Sequence, residues 1–192
     1  MTVQAQRVPV VATFVESVDS TVLTHTRDLA HDFKAAFGGH PAGVSIITAD
    51  SLTGPVGITA SSVASVSAEP PLLAFSLAAA KGSAAALAVA DTVVVHLLTS
   101  DDLELAKTFA NSAAERFGEA MAWSTLATGE PLLLHGGYAL RCKVLSRTPA
   151  GGSLLLAAEV VEIIAPENTG TPIVYHSRTF HALGQHSLLP GY

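Results

Sequence analysis

The chain has 192 residues, 49% of them hydrophobic and 14% charged, with a formal net charge of −6, a pI near 5.7 and a mean hydropathy of +0.44. That length suits one domain with a sizeable core, and the acidic balance without any cluster of Lys and Arg argues against nucleic acid or anionic membrane as a partner. An average domain carries about 25% charged residues, so this composition predicts that part of the surface is covered, most simply in a homodimer.

Residues 1–25 hold Pro9, scattered valines and no clear period, and are expected to form an N-terminal extension before a domain spanning 26–192. Thr26 is the expected N-cap of a helix whose Leu29, Phe33 and Phe37 recur at four-residue intervals before Gly38-Gly39. Strand signals then dominate, at residues 42–49, 55–66, 71–78, 92–98, 137–146, 153–165 and 172–175. Seven such runs separated by Gly, Pro and Asp turns point to a barrel or sandwich. Helices are expected at 81–90 and 101–110, the second after Thr99-Ser100, and Ser112 with Glu115 has the spacing of a capping box. Asp101-Asp102 reads as a pair suited to the dipole of a helix start. The stretch 149–152, Pro-Ala-Gly-Gly, reads as a hairpin.

The apolar runs, such as 72–80, are far shorter than the roughly 18 residues that suggest a membrane span. Cys142 is the only cysteine and the first twenty residues lack a secretory pattern, which fits a reducing cytoplasm. There is no G-x-G-x-x-G, Walker-type phosphate loop or G-x-S-x-G elbow. His176, His181 and His186 step by five, a spacing that shares no helical or strand face, so no metal is expected. No side-chain catalyst stands out, and chemistry is expected from a bound cofactor that the protein positions.

The segment 57–77, GITASSVASVSAEPPLLAFSL, concentrates hydroxyls. In extended backbone Thr59, Ser61, Ser65 and Ser67 would share one face, opposite Ile58, Ala60, Ala64 and Val66. By periodicity alone this is a half-exposed strand. However, the run at 54–73, G-P-V-G-I-T-A-S-S-V-A-S-V-S-A-E-P-P-L-L, preceded by H-P-A-G-V-S-I-I-T at 40–48, resembles the flavin reductase family with the FMN-binding split β-barrel, whose members are the small components of two-component flavin-dependent monooxygenases. The resemblance extends over roughly four-fifths of the chain, from Asp32 to about Leu183.

It implies a mainly β fold with a few helices, built as a six-stranded split β-barrel, and a homodimer with flavin near its interface. By position, Thr59, Ala60, Ser61 and Ser62 would line FMN or FAD, with Ser65 and Ser67 further along the same wall. Ala80-Lys81-Gly82-Ser83 occupies the place of the family's phosphate turn, so Lys81 and Ser83 would face the phosphate. Glu115-Arg116-Phe117-Gly118 matches an Asp/Glu-Arg-Phe segment near the flavin or the partner subunit. There Arg116 would pair either with phosphate or with an acidic neighbour. Tyr175 and Arg178, in the terminal Y-H-S-R-T-F run, would reach the cofactor or close the barrel.

The implied activity is reduction of FMN or FAD by NADH or NADPH, with reduced flavin passed to a monooxygenase. Two departures stand out: His96 replaces a customary Asn, and Gly151-Gly152-Ser153 replaces a customary Gly-Asp-His. The second supports an alternative, a carrier or sensor of flavin, deazaflavin or haem without nicotinamide turnover. A third reading is a dimeric β module without a ligand.

Overall fold

The computed structural model describes residues 28–78 and 82–191. Their order is α1 (Leu29–Gly38), β1 (Ala42–Gly43), β2 (Ser45–Ser51), β3 (Gly54–Ala60), β4 (Ala64–Ala68), β5 (Pro71–Ala78), α2 (Ser83–Val89), β6 (Thr92–Leu97) and α3 (Leu103–Ala110). There follow β7 (Trp123–Thr125), β8 (Pro131–Leu133), β9 (Ala139–Ala150), β10 (Ser153–Ile164), β11 (Ile173–His176) and β12 (Thr179–Ala182). The fold is mainly β, as expected, with three α-helices and two short 3-10 turns among the described residues.

The largest sheet has seven strands rather than six, in the order β3-β2-β6-β9-β10-β5-β4. Its two outer strands are consecutive in sequence: only Ser61, Ser62 and Val63 lie between β3 and β4. Four Cα steps reach at most about 14 Å, whereas the outer strands of a flat seven-stranded sheet would be about 29 Å apart. The sheet therefore curls until its ends are neighbours. No ladder joins β3 to β4, and residues 61–63 bridge the resulting seam covalently. The 55–66 run expected as one strand is thus two, broken where small residues give periodicity nothing to register.

Curling makes an inside and an outside, and β2 and β6 are buried on both. Ile47, Val93 and Val95 join Phe75, Leu77, Leu156 and Cys142 in one core, into which α2 lays Leu87. Ile46 faces the other way, into a second core with Ala106 and Phe109 of α3, Leu133 of β8 and Ile173 of β11. Two-sided burial explains why these strands read as continuous apolar runs.

The hairpin β9–β10 turns through Gly151, at φ +60°, and pairs Ala150 with Ser153. The α1 N-cap is Asp28, whose Oδ1 accepts from the N–H groups of Ala30 and His31 at 3.1 and 3.3 Å. Thr26, the expected cap, lies outside the described residues. At 112–115 there is no helix: Asn111 Oδ1 accepts from Ala113 N–H at 3.0 Å, an Asx turn. Asp102 does more than suit a dipole. It accepts from Thr99 N–H and Oγ1–H, both at 2.8 Å, and from Gly136 N–H at 3.3 Å.

Candidate functional site

Three clefts open along the seam, and Ser61 lines all of them. One, of about 540 Å³, lies between the ends of β3 and β5, the start of α2 and the end of α3, with Ser62, Gly82, Ser83 and Arg116 in its wall. A second, of about 750 Å³, is framed by Phe33 and Phe37 of α1, by Ser62 and Val63, and by Tyr175 and Arg178. The third, of about 470 Å³, lies between Thr59, Lys107, Tyr175 and Phe180.

The floor of the first cleft depends on a glycine for space rather than for dihedral freedom. A Cβ on Gly57 would lie 2.6 Å from Cε1 of Phe109, so the bare strand lets the α3 aromatic press directly on β3. Above this contact sits Arg116. Its Nη1 donates to Gly57 O at 2.9 Å and to Ser83 Oγ at 3.0 Å, and its Nη2 donates to Asn111 O at 2.6 Å. The guanidinium carbon is 5.8 Å from the centroid of the Phe109 ring. Arg116 Nε is buried without a partner among the described residues, and burial lowers the guanidinium pKa from its ordinary value.

The remaining sequence-derived candidates divide. Thr59 borders two of the clefts, but its Oγ1 donates to Ala106 O at 2.6 Å and so ties β3 to α3. Ala60 packs into the inner core and also lines the first cleft. Ser62 Oγ donates to Ser76 O at 3.2 Å and accepts from Ser76 N–H at 3.0 Å, holding the seam segment against β5. Ser65 and Ser67 lie on β4, either side of a register shift against β5, and line none of the three clefts. The face shared by Thr59, Ser61, Ser65 and Ser67 is therefore broken twice, once at the seam and once at this bulge. Lys81 lies outside the described residues.

Phe117, at φ +61°, packs edge-on between Phe109 and Trp123, with centroids 5.3 and 5.2 Å away. It borders a different cleft, of about 900 Å³, whose wall includes Asp101, Glu104, Glu115 and Glu119. With Asp102 the wall carries five carboxylates, which repel a phosphate, so this larger space is the wrong one for a phosphorylated ligand. Tyr175 stacks on Phe180 at 4.9 Å. Arg178 sits in the two-residue turn between β11 and β12, where both Ser177 and Arg178 have positive φ, 49° and 63°. A type I′ turn needs that backbone, and in non-glycine residues it costs on the order of 1 kcal/mol each; here it puts a guanidinium at the mouth of the second cleft.

Neither departure noted in the sequence leaves a gap in hydrogen bonding. His96, fully buried, gives Nδ1–H to Ile46 O at 3.2 Å and accepts Leu133 N–H on Nε2 at 3.0 Å. That is one donor and one acceptor, as an amide would offer. Burial first, and the neighbouring His135 second, depress the His96 pKa from 6.5 to about 3. The Gly151-Gly152 tip is exposed. Sequence reasoning missed Gly57, Asn111 and Ala106 because they act through backbone oxygens or through lacking a side chain. Gly57 alone carried a signal, a glycine inside a strand pattern.

A family model described as the flavin reductase like domain matches residues 37–184. An NADH:FMN oxidoreductase of Rhodococcus qingshengii is 41% identical over 171 residues, covering 87% of this chain and 88% of the relative. An actinorhodin polyketide dimerase of Streptomyces coelicolor is 39% identical over 147 residues, covering 74% of this chain and 80% of the relative. The solved structure of a flavin reductase domain protein from Arthrobacter sp. FB24 superimposes with a TM-score of 0.75 at 35% identity, over 81% of this chain and 96% of that one.

Proposed function

The chain belongs to the flavin reductase like domain family, and from that premise we propose that it oxidises NADH and reduces FMN, acting as an NAD(P)H:flavin oxidoreductase that supplies reduced flavin to a separate monooxygenase. The observation that carries this reading is the seam, where a curled sheet opens into adjoining clefts bordered by small side chains, hydroxyls and guanidinium groups. A flat ring with a phosphorylated tail needs close backbone approach at one end and hydrogen-bond donors at the other. The Ser61–Val63 bridge offers the first. Ser83, together with Gly82, which has φ +56° and open space where a Cβ would be, offers the second.

When bound, the flavin supplies the electron-accepting ring and the nicotinamide the hydride. The protein's task is to hold the two in contact and exclude water. Ser61 stands at the junction of all three clefts and is assigned to the ring edge, Ser62 to keeping the seam against β5, and Ser83 to the phosphate. Lys81, adjacent to Gly82 in sequence, is assigned to the same phosphate. Tyr175 and Phe180 form an aromatic wall for the nicotinamide side, and Arg178 provides positive charge at the mouth. Thr59 and Arg116 hold the walls together.

Under this reading the curled seven-stranded sheet is the split barrel of the family, residues 26–192 form the working domain and residues 1–25 an extension. A homodimer is supported by α1, whose Leu29, Phe33 and Phe37 are 80, 60 and 61% exposed. Among the described residues no helix is long and apolar enough to cross a membrane, and the single cysteine suits a cytoplasmic setting. The carrier or sensor alternative is not favoured, because the Rhodococcus relative is named for NADH:FMN oxidoreduction. NADH and NADPH, each paired with FMN and FAD, are followed by nicotinamide absorbance. NADH with FMN is expected to turn over; no pair exceeding the flavin-free control would remove the reading.

A further inference from the structure

We infer that Arg116 is a positioning residue that acts through Ser83, orienting the Ser83 hydroxyl as a donor to the phosphate of FMN, and is not itself the phosphate's ligand. This rests on the flavin reading of the cleft. A guanidinium has five N–H donors arranged in two forked edges. Both Nη1 hydrogens are taken, by Gly57 O and Ser83 Oγ, and one Nη2 hydrogen by Asn111 O. The edge that includes Nη1 is therefore spent on the protein. The other edge includes Nε, which is buried. Neither edge is left open for the two-pronged grip by which Arg holds phosphate.

Ser83 stands differently. A hydroxyl has one proton to give and two lone pairs. Arg116 fills a lone pair, and among the described residues no acceptor takes the proton. A hydroxyl that accepts from a cation is polarised into a stronger donor, and Ser83 lies in the wall of the cleft. Arg116 thus ties three elements, β3 at Gly57, α2 at Ser83 and the end of α3 at Asn111, and aims the one polar group among them that has bonding capacity to spare.

Riboflavin, which lacks the phosphate, separates this role from general support of the fold. Binding of FMN and of riboflavin to the full chain is measured by quenching of flavin fluorescence for wild type, Ser83→Ala, Arg116→Lys and the double variant. Each single change is expected to weaken FMN about tenfold, the size of one hydrogen bond to a charged group, with riboflavin unchanged. The double variant is expected to be no weaker than either single one. A further FMN-specific tenfold loss when Arg116→Lys is added to Ser83→Ala overturns the assignment, because Arg116 would then reach the phosphate independently. Equal losses for FMN and riboflavin also overturn it, leaving Arg116 as scaffold only. Should Arg116→Lys not fold by circular dichroism, Ser83→Thr decides: retained FMN preference supports the oriented hydroxyl, and a loss equal to that of Ser83→Ala refutes it. Wild type that binds neither flavin removes the underlying reading, and the assignment with it.

Discussion

Two flanks of the curled sheet handle polar side chains in opposite ways. On the outer flank the β7–β8 hairpin is fastened to the sheet by groups whose bonding is used up. Thr48 Oγ1 donates to Pro131 O at 2.6 Å, both ring nitrogens of His96 are engaged, and Glu130 joins Arg141 Nε at 2.9 Å while also accepting from the Thr128 hydroxyl. Along the seam, hydroxyl bonding capacity is left over among the described residues, in the Ser83 proton and the Ser61 hydroxyl. Each flank has one buried nitrogen without a partner among the described residues, Nε2 of His135 and Nε of Arg116. Their surroundings differ. The His135 side chain is 2% exposed and lines none of the seam clefts, whereas Arg116 borders one of about 540 Å³. Unspent hydroxyls beside open space make the seam the candidate site, while spent groups make the other flank a seal.

The comparison is broken most severely by Glu130→Ala. Glu130 is 2% exposed, and its loss strands the Arg141 charge. Removing one partner of a buried pair costs about 3–5 kcal/mol, and Arg141, 19% exposed, sets the lower end of that range. Urea denaturation is expected to show a loss of about 3 kcal/mol, with FMN binding by the remaining folded protein intact.

Acid tests the same flank gradually, one pH unit at a time. In the unfolded chain His96 titrates near 6.5, while in the folded chain it stays neutral down to about 3. The unfolded state therefore binds the extra proton between those limits. Stability is complete above pH 6.5 and falls as the pH drops toward 3, by at most about 1.4 kcal/mol per pH unit. His96→Asn, which keeps a donor and an acceptor, is expected to flatten that slope in thermal melts. A separate loss lies lower. Asp102, although burial opposes its ionised form, is held at about 2 rather than 3.8 by His135, the Thr99 N–H and hydroxyl, and Gly136. Its contribution is present above 3.8 and disappears as the pH falls toward 2, a loss that His96→Asn does not remove.

The smallest effect belongs to Thr59→Val on the seam. It removes one hydrogen bond to the α3 backbone, worth about 1 kcal/mol, and keeps the shape. Stability is expected to drop by about that much in urea, with the FMN preference over riboflavin retained. A loss of that preference would move Thr59 from tie to ligand.

Much of the fold was legible because alternation and β-branching leave local marks. The 71–78 strand matches β5 throughout, 92–98 matches β6 to within a residue, and the 149–152 turn falls at the β9–β10 tip. What could not be read is nonlocal. Nothing in Ala60-Ser61-Ser62-Val63-Ala64 says that its two ends belong to opposite margins of one sheet, since small residues neither break nor keep a period. The short pair β7–β8 carries too few residues for a pattern. For the candidate site, the resemblance marked the hydroxyl run and Arg116, yet the partners of Arg116 are two carbonyls and a hydroxyl. Every residue has a carbonyl, so no sequence pattern singles out Gly57 or Asn111.

The bridge from Ala60 to Ala64 also fixes a dimension by arithmetic. Where strands lie in a ladder, their separation is restored by many bonds acting in parallel. Across the seam the covalent tether is a count of residues. Deleting one would draw the margins together by up to about 3.5 Å, and inserting one would add the same slack, with every neighbouring ladder still in register. The width of the seam is thus written as a chain length, which makes it an adjustable part that evolution or an engineer can reset without rebuilding the sheet.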